Sequence, residues 1–364
     1  MSRAAATTRV QRLLERAARA GVFCGAVARW TARDGLGHTL ALGHASRRGS
    51  KRAVEAGAWF DLASLTKPLV VTTLSLVAFR HGVELETRVG EALSELGNGA
   101  VGKLNLRHLL AHTSGLPAWN PLYATCHGDP SQVAQAIAGL PLQAPPGARV
   151  VYSCMGFVLL GLFLERLLGD RLDRLFTRHV LQPLRLAEHL GFRPDPAVRQ
   201  VVSGAVLPVA ERRMVRDLGL SERWIPEVAV GLPDDGNSRF LGGVAGNSGL
   251  FGSVAGVVGL ATCYLPGRST LLGAREIALA TSCYTHGLEQ ERGLGWQLAG
   301  TAGCSAGRGL SRGAFGHVGF TGTSLWIDPS RETILVLLTN RHHPAHREFD
   351  LHPLRRRFHA LALG

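Results

Sequence analysis

A chain of 364 residues that is 46% hydrophobic and only 18% charged can bury a substantial core as one large domain, which excludes disorder as its default state. A formal net charge of +13 raises nucleic acid or an anionic surface as a partner. Only three of the 40 basic residues are lysines (Lys51, Lys67 and Lys103), however, and the arginines are spread along the whole chain with no nucleic-acid-reading motif beside them, so neither partner is expected.

In chain order, Met1 to Gly21 carries Arg3, Arg9, Arg12, Arg16 and Arg19 with no uninterrupted apolar stretch, and reads as an amphipathic surface helix, not a secretory leader. Val22 to Thr31 and His38 to Leu42 flank the turn-rich Ala32-Arg33-Asp34-Gly35, the pattern of an antiparallel hairpin. Long apolar segments follow at Pro68 to Phe79, Leu106 to His112, Phe157 to Leu168 and Val254 to Leu265, punctuated by Gly and Pro as helices are. A second hairpin is predicted at Thr323 to Ile327 and Thr333 to Thr339, across Asp328-Pro329-Ser330-Arg331. The expected architecture is therefore an α/β single domain over residues 1–364. Its antiparallel sheet lobe comes from both termini (about 1–60 and 275–364), flanked by helices, with a large all-helical lobe between (about 61–274).

The longest uncharged apolar run, Val150 to Leu164, falls short of the roughly 20 residues of a spanning helix, so no membrane span is expected. Six cysteines stand singly with no CxxC pair, which argues against a zinc site and a dense disulfide framework and makes a reducing cytoplasm the expected compartment. The cluster His342-His343-x-x-His346 lacks carboxylate or cysteine partners at ligand spacing and reads as a solvated loop.

Asp61-Leu-Ala-Ser64-Leu-Thr-Lys67-Pro68 opens the first long apolar helix. Ser and Lys three apart share one helical face and lie within reach of each other. Pro68 is tolerated only in an opening turn, which places Ser64 near the helix N-terminus, where backbone amides favour a developing oxyanion. Taken alone, Ser64 could equally be a helix cap and Lys67 a solvated surface residue.

Four further motifs accompany it: Leu109-Leu-Ala-His112-Thr-Ser-Gly-Leu116; Pro146-Gly147 with Tyr152-Ser-Cys-Met-Gly156; Gly242-Gly-Val-Ala-Gly246 with Gly249-Leu-Phe251; and Gly316-His317-Val-Gly319-Phe-Thr-Gly-Thr323. In this order and spacing the set resembles the serine beta-lactamase and penicillin-binding protein superfamily, in particular the esterase-like branch related to class C beta-lactamases. The resemblance implies a beta-lactamase-like fold, an active site between the lobes, and no metal or organic cofactor. It implies Ser64 as nucleophile and Lys67 with Tyr152 as the base, the choice between those two staying open. It also implies that His317 and Gly319 line a strand edge facing Ser64, where Gly permits close approach of substrate, and that the amide of Phe320 pairs with that of Ser64 as oxyanion donors.

Two departures bear on substrate. His317-Val318 stands where penicillin-recognising relatives have Lys-Thr, and Cys154 stands two residues after Tyr152 where they have Asn; a thiol is a weak donor and acceptor. Cys154 is expected in the cleft beside Lys67, whose charge favours the thiolate. Asn247-Ser248 replaces a common His-Ala, a change with no physical account at this level. The expected function is hydrolysis or acyl transfer on a small ester or amide through a Ser64 acyl-enzyme. Beta-lactamase, D-alanyl carboxypeptidase or D-aminopeptidase activity is the alternative, and a non-catalytic ligand-binding protein on the same fold is the alternative of another class. Oligomeric state is not encoded in these patterns.

Overall fold

The computed structural model describes residues 3–31, 37–46, 52–202, 204, 209–341 and 350–364. Its strands are β1 (Gly25–Thr31), β2 (Gly37–Gly43), β3 (Phe60–Asp61), β4 (Leu190–Phe192), β5 (Leu250–Gly252), β6 (Gln297–Leu298), β7 (Phe315–Val318), β8 (Ser324–Asp328) and β9 (Thr333–Thr339).

Both predicted hairpins form. β1 pairs antiparallel with β2, and β8 with β9; the turn expected at residues 32–35 lies outside the described residues. The second turn is held by Asp328, whose Oδ1 accepts from the amides of Ser330 at 3.1 Å and Arg331 at 3.3 Å. β1 also pairs antiparallel with β9, so the two chain ends share a six-stranded sheet in the order β2-β1-β9-β8-β7-β6.

β9 is buried at all seven residues, as its unbroken apolar sequence requires of a central strand covered on both faces. Alternation then divides its side chains. Leu335 and Leu337 join Val10, Leu14 and Phe358 beneath the terminal helices Arg3–Arg19 and His352–Leu363, while Ile334, Val336 and Leu338 face the core of the helical middle.

The middle is mostly helical, with Leu106–Leu110, Cys154–Leu168 and Val254–Thr262 at the predicted places. It also contains the short sheet β3-β5-β4, which the apolar runs did not announce. Cys154–Leu168 starts where Ser153 Oγ accepts the Gly156 amide at 3.1 Å and stops at Gly169, whose φ of 69° is the left-handed conformation that glycine adopts most readily. The Ser64 helix is less regular than its sequence suggested. A tight three-residue turn, Ala63–Leu65, passes into a widened turn at Lys67–Thr72 and becomes α-helical only at Thr73–Phe79. Pro68 has no amide to place in an α-helical ladder, and the widened turn absorbs that loss.

Among the described residues no helix is long and apolar enough to cross a membrane. The end of β7 packs on the Ser64 turn. Thr321 Oγ1 donates to the Asp61 carbonyl at 2.8 Å and Thr323 Oγ1 to that of Leu62 at 3.3 Å. The sheet is thus tied to the helical part beside Ser64.

Candidate active site

Ser64 follows Ala63, whose φ of +48° is the left-handed conformation that a residue with a Cβ adopts at a cost. Buried Asp61 holds that turn: its Oδ1 accepts from the Ala63 amide and its Oδ2 from the Asp234 amide, both at 2.8 Å. Burial, with the nearby charge of Asp234, raises the Asp61 carboxyl to about 7.

Lys67 is fully buried below Ser64 and has all three ammonium hydrogens placed. It donates to Ser64 Oγ at 3.0 Å, to Cys154 Sγ at 3.4 Å and to the Asn247 carbonyl at 2.9 Å. Its Nζ lies 5.1 Å from the Tyr152 ring centroid. Burial works against the charge, but Cys154, Tyr152 and Asp235 outweigh it, and the lysine is pushed up to about 12. Cys154 contributes to that lift only as a thiolate, and burial raises the Cys154 thiol despite Lys67 and the Asn247 side chain, which favour its charge. The expected thiolate is therefore corrected: Cys154 is where it was expected, but desolvation exceeds the attraction of the ammonium.

Tyr152 stands just outside the helix that Ser153 caps. His112 orients this segment: its carbonyl accepts from the Val151 amide at 2.9 Å, its Nδ1 from the Ser153 amide at 3.1 Å, and its ring lies 4.5 Å from that of Tyr152. Burial, then Arg292, Lys67 and His317, keep His112 well below the usual histidine range, so its neutral Nδ1 can accept.

The substituted pair at 154 and 247 now has a physical account. The Asn247 carboxamide donates to Asp235 Oδ1 at 3.1 Å and also hydrogen-bonds Cys154. A side-chain amide thus stands beside Cys154, brought from the glycine-rich segment 93 residues further along the chain.

On the β7 side, His317 is 3% exposed and its Nδ1 contacts the Val318 carbonyl at 2.8 Å. A carbonyl only accepts, so Nδ1 carries the proton. Burial, Lys67 and Arg292 hold the ring neutral, and Nε2 is an acceptor with no partner among the described residues. Packing also requires Gly319: a Cβ there would stand 2.0 Å from Thr323 Oγ1 and 2.9 Å from the Leu62 carbonyl. Phe320 forms the rim, 52% exposed.

A cleft of about 820 Å³ is lined by Ser64, Tyr152, Cys154, His317, Gly319 and Phe320, with Lys67 beneath it. The sequence-predicted residues therefore converge. Asp61, His112, Asp235 and Arg292 receive no role from the sequence, where Asn247 is only a substitution without a physical account. Asp61, His112 and Asn247 lie inside or beside quoted motifs; Arg292, in the charged run Glu289-Gln290-Glu291-Arg292, carries no sign of burial. Among the described residues no group of three or more His, Cys, Asp or Glu side chains is placed to hold a metal ion, and His342, His343 and His346 lie outside them.

A protein of Escherichia coli (strain K12) whose name proposes a D-alanyl-D-alanine carboxypeptidase is 28% identical over 315 residues, 79% of this chain and 70% of that protein. Among solved structures, EstCE1, described as a hydrolase with promiscuous acyltransferase activity, superposes with a TM-score of 0.75 at 22% identity, covering 100% of this chain and 99% of that one. A class C beta-lactamase from Rhodobacter sphaeroides gives 0.70 at 18% identity, over 96% and 97% of the two chains. At such identities these two structures show the shared fold. The beta-lactamase family model matches residues 10–360, and the chain belongs to the beta-lactamase family.

Proposed function

We propose that this protein hydrolyses, or transfers the acyl group of, small esters or amides through an acyl-enzyme on Ser64. The observation that carries this reading is the 3.0 Å contact between Lys67 Nζ and Ser64 Oγ at the base of the cleft, on an ammonium whose other two donors are also engaged. Lys67 enters as a positive charge that orients Ser64. Tyr152, entering as the phenolate and so also favouring that charge, is then the group to receive the serine proton and, as the phenol, return it to the leaving group. The amides of Ser64 and Phe320 are the candidate donors to the developing oxyanion.

Peptide-like amides are the second reading, favoured by the Asn247 carboxamide beside Cys154, and the name of the Escherichia coli relative points the same way. The test is labelling with a fluorophosphonate, followed by peptide mapping, alongside turnover of p-nitrophenyl esters, nitrocefin and D-amino-acid amides. A label on Ser64 that is lost with turnover in Ser64→Ala supports the mechanism. Wild-type turnover in Ser64→Ala would overturn it, and no labelling at all would favour a binding protein.

A further inference from the structure

The arginines are spread along the chain, but the carboxylates are not. The two segments that build the sheet lobe, residues 1–60 and 275–364, contain 21 Lys and Arg against ten Asp and Glu, a formal charge of +11, whereas residues 61–274 contain 19 against 17. Nearly all of the net charge of +13 therefore belongs to the sheet lobe, which the even spread of arginines conceals.

Within that lobe the charge is presented on one layer. The helices Arg3–Arg19 and His352–Leu363 pack on each other and cover the face of the six-stranded sheet turned away from the helical middle. Arg9, Arg12, Arg16 and Arg19 are exposed and recur at intervals of three, four and three. They form one stripe about 15 Å long on the back of the first helix, with Val10 and Leu14 buried beneath it. Arg357 is exposed on the second helix, and Arg308 on the segment packed against it, where the space beside Gly307 and Gly309 is filled by Arg356 and Leu363. Glu15 is the one acidic side chain of the first helix, and it engages Gln11 at 2.9 Å and Arg19 at 4.0 Å. The second helix and residues 292–327 contain no Asp or Glu.

The patch consists of helix backs, and the aromatic rings of the layer, Trp30, Trp326 and Phe358, are buried beneath them. Single-stranded nucleic acid is held in a groove with exposed rings for its bases, and a duplex by an element that projects into it. Here the first helix lies flat on the lobe, with Thr7 Oγ1 3.3 Å from His38 Nδ1 of β2 and Leu14 in the core. A plane of phosphates requires neither groove nor projection, only guanidinium forks on one outward face with few carboxylates among them. We propose that this outer layer docks the protein on a bilayer surface containing anionic phospholipids. The headgroup phosphates meet the arginine stripe, while the apolar side of the helix stays in the protein's own core. Arg9, Arg12, Arg16, Arg19, Arg308 and Arg357 all lie outside the lining of the cleft, so docking is separate from the chemistry at Ser64.

The test is sedimentation of the full chain with vesicles of phosphatidylcholine, alone or with about 30% phosphatidylglycerol. At about 0.1 M salt the wild type is expected to bind the anionic vesicles at least about thirtyfold more tightly than the zwitterionic ones, and to be released at about 0.5 M. Arg9→Gln, Arg12→Gln, Arg16→Gln and Arg19→Gln combined keep the helix-forming character and lower binding to the anionic vesicles at least about thirtyfold, whereas Lys at the same four positions retains most of it. Removing four exposed charges from the helical middle, by Lys103→Gln, Arg107→Gln, Arg166→Gln and Arg213→Gln combined, changes binding by less than about threefold. Equal losses in the two Gln variants would trace binding to net charge and overturn the proposal. So would a wild type that ignores anionic vesicles, an outer-layer Gln variant that binds like the wild type, or a Lys variant as weak as the Gln one. Tighter binding at the same salt to a duplex of about 20 base pairs than to the vesicles would overturn it in favour of nucleic acid.

Discussion

On the Ser64 side of the cleft, the buried Lys67 ammonium has each donor matched, the Ala63 and Asp234 amides meet Asp61, and the Ser153 amide meets His112. On the side of β7 and the 289–292 loop, His317 Nε2 is buried with no partner among the described residues, and Arg292 Nη1 also has none. A matched buried group rigidifies the fold around it, while an unmatched one lowers stability until something binds. His112 Nε2, Asn247 Oδ1 and Ser248 Oγ on the first side are also without a partner among the described residues, so the comparison is between the groups that position Ser64, which are matched, and the polar groups of the facing wall, which are not. It predicts that substitutions on the first side lower rate and stability together, and that substitutions on the second change KM with little effect on stability.

The largest effects are expected at the relay. Lys67→Ala and Tyr152→Phe should each slow acylation at least about a hundredfold, the usual contribution of a positioned proton-transfer group. Because both serve one proton path, the double variant should lose far less than the product of the two. Full multiplicativity, read from single-turnover rates, would separate their roles.

Next comes Asp61, where both oxygens accept from backbone amides. Asp61→Asn replaces one acceptor by a donor and should destabilise by about 1–3 kcal/mol in denaturant titrations. It also tests the direction of the Asp61 shift. A carboxyl raised to about 7 in the fold stabilises the protein fully below its ordinary value near 3.8 and loses that contribution as pH rises through about 7. Wild-type stability should thus fall by about 1 kcal/mol between pH 6 and 8 through this group, and the slope should flatten in Asp61→Asn. Glu211, also raised to about 7 by burial, keeps its own contribution in both proteins.

A smaller effect is expected where the amide has moved. Asn247→Ala should slow hydrolysis of amides about tenfold, more than that of simple esters, and Cys154→Asn should recover part of the loss by returning a carboxamide to the same place. Failure of that rescue would mean that Asn247 acts only through Asp235. The smallest change in stability belongs to the other side: His317→Gln gives up one neutral hydrogen bond and should cost under about 1 kcal/mol while altering KM. A loss several times larger would erase the distinction between the two sides.

The hairpins, the apolar helices and the pairing of Ser64 with Lys67 were legible in the linear chain, since each rests on periodicity or on residues within one helical turn, where bond geometry dictates what can meet. The order of the motifs likewise identified the residues that converge on the cleft. Contacts such as Ser153 with His112 and Lys67 with Asn247, 41 and 180 residues apart, arise from packing that no local pattern encodes. The same holds for charge. Lys67, Arg292 and the arginines of the surface ion pairs are alike as letters, and residue type carries no record of solvation. Cys154 remains a thiol beside an ammonium, and Arg292 is a buried cation without an anion, because the assembled fold removes water from both; burial, summed over segments distant in sequence, sets the sign of each effect.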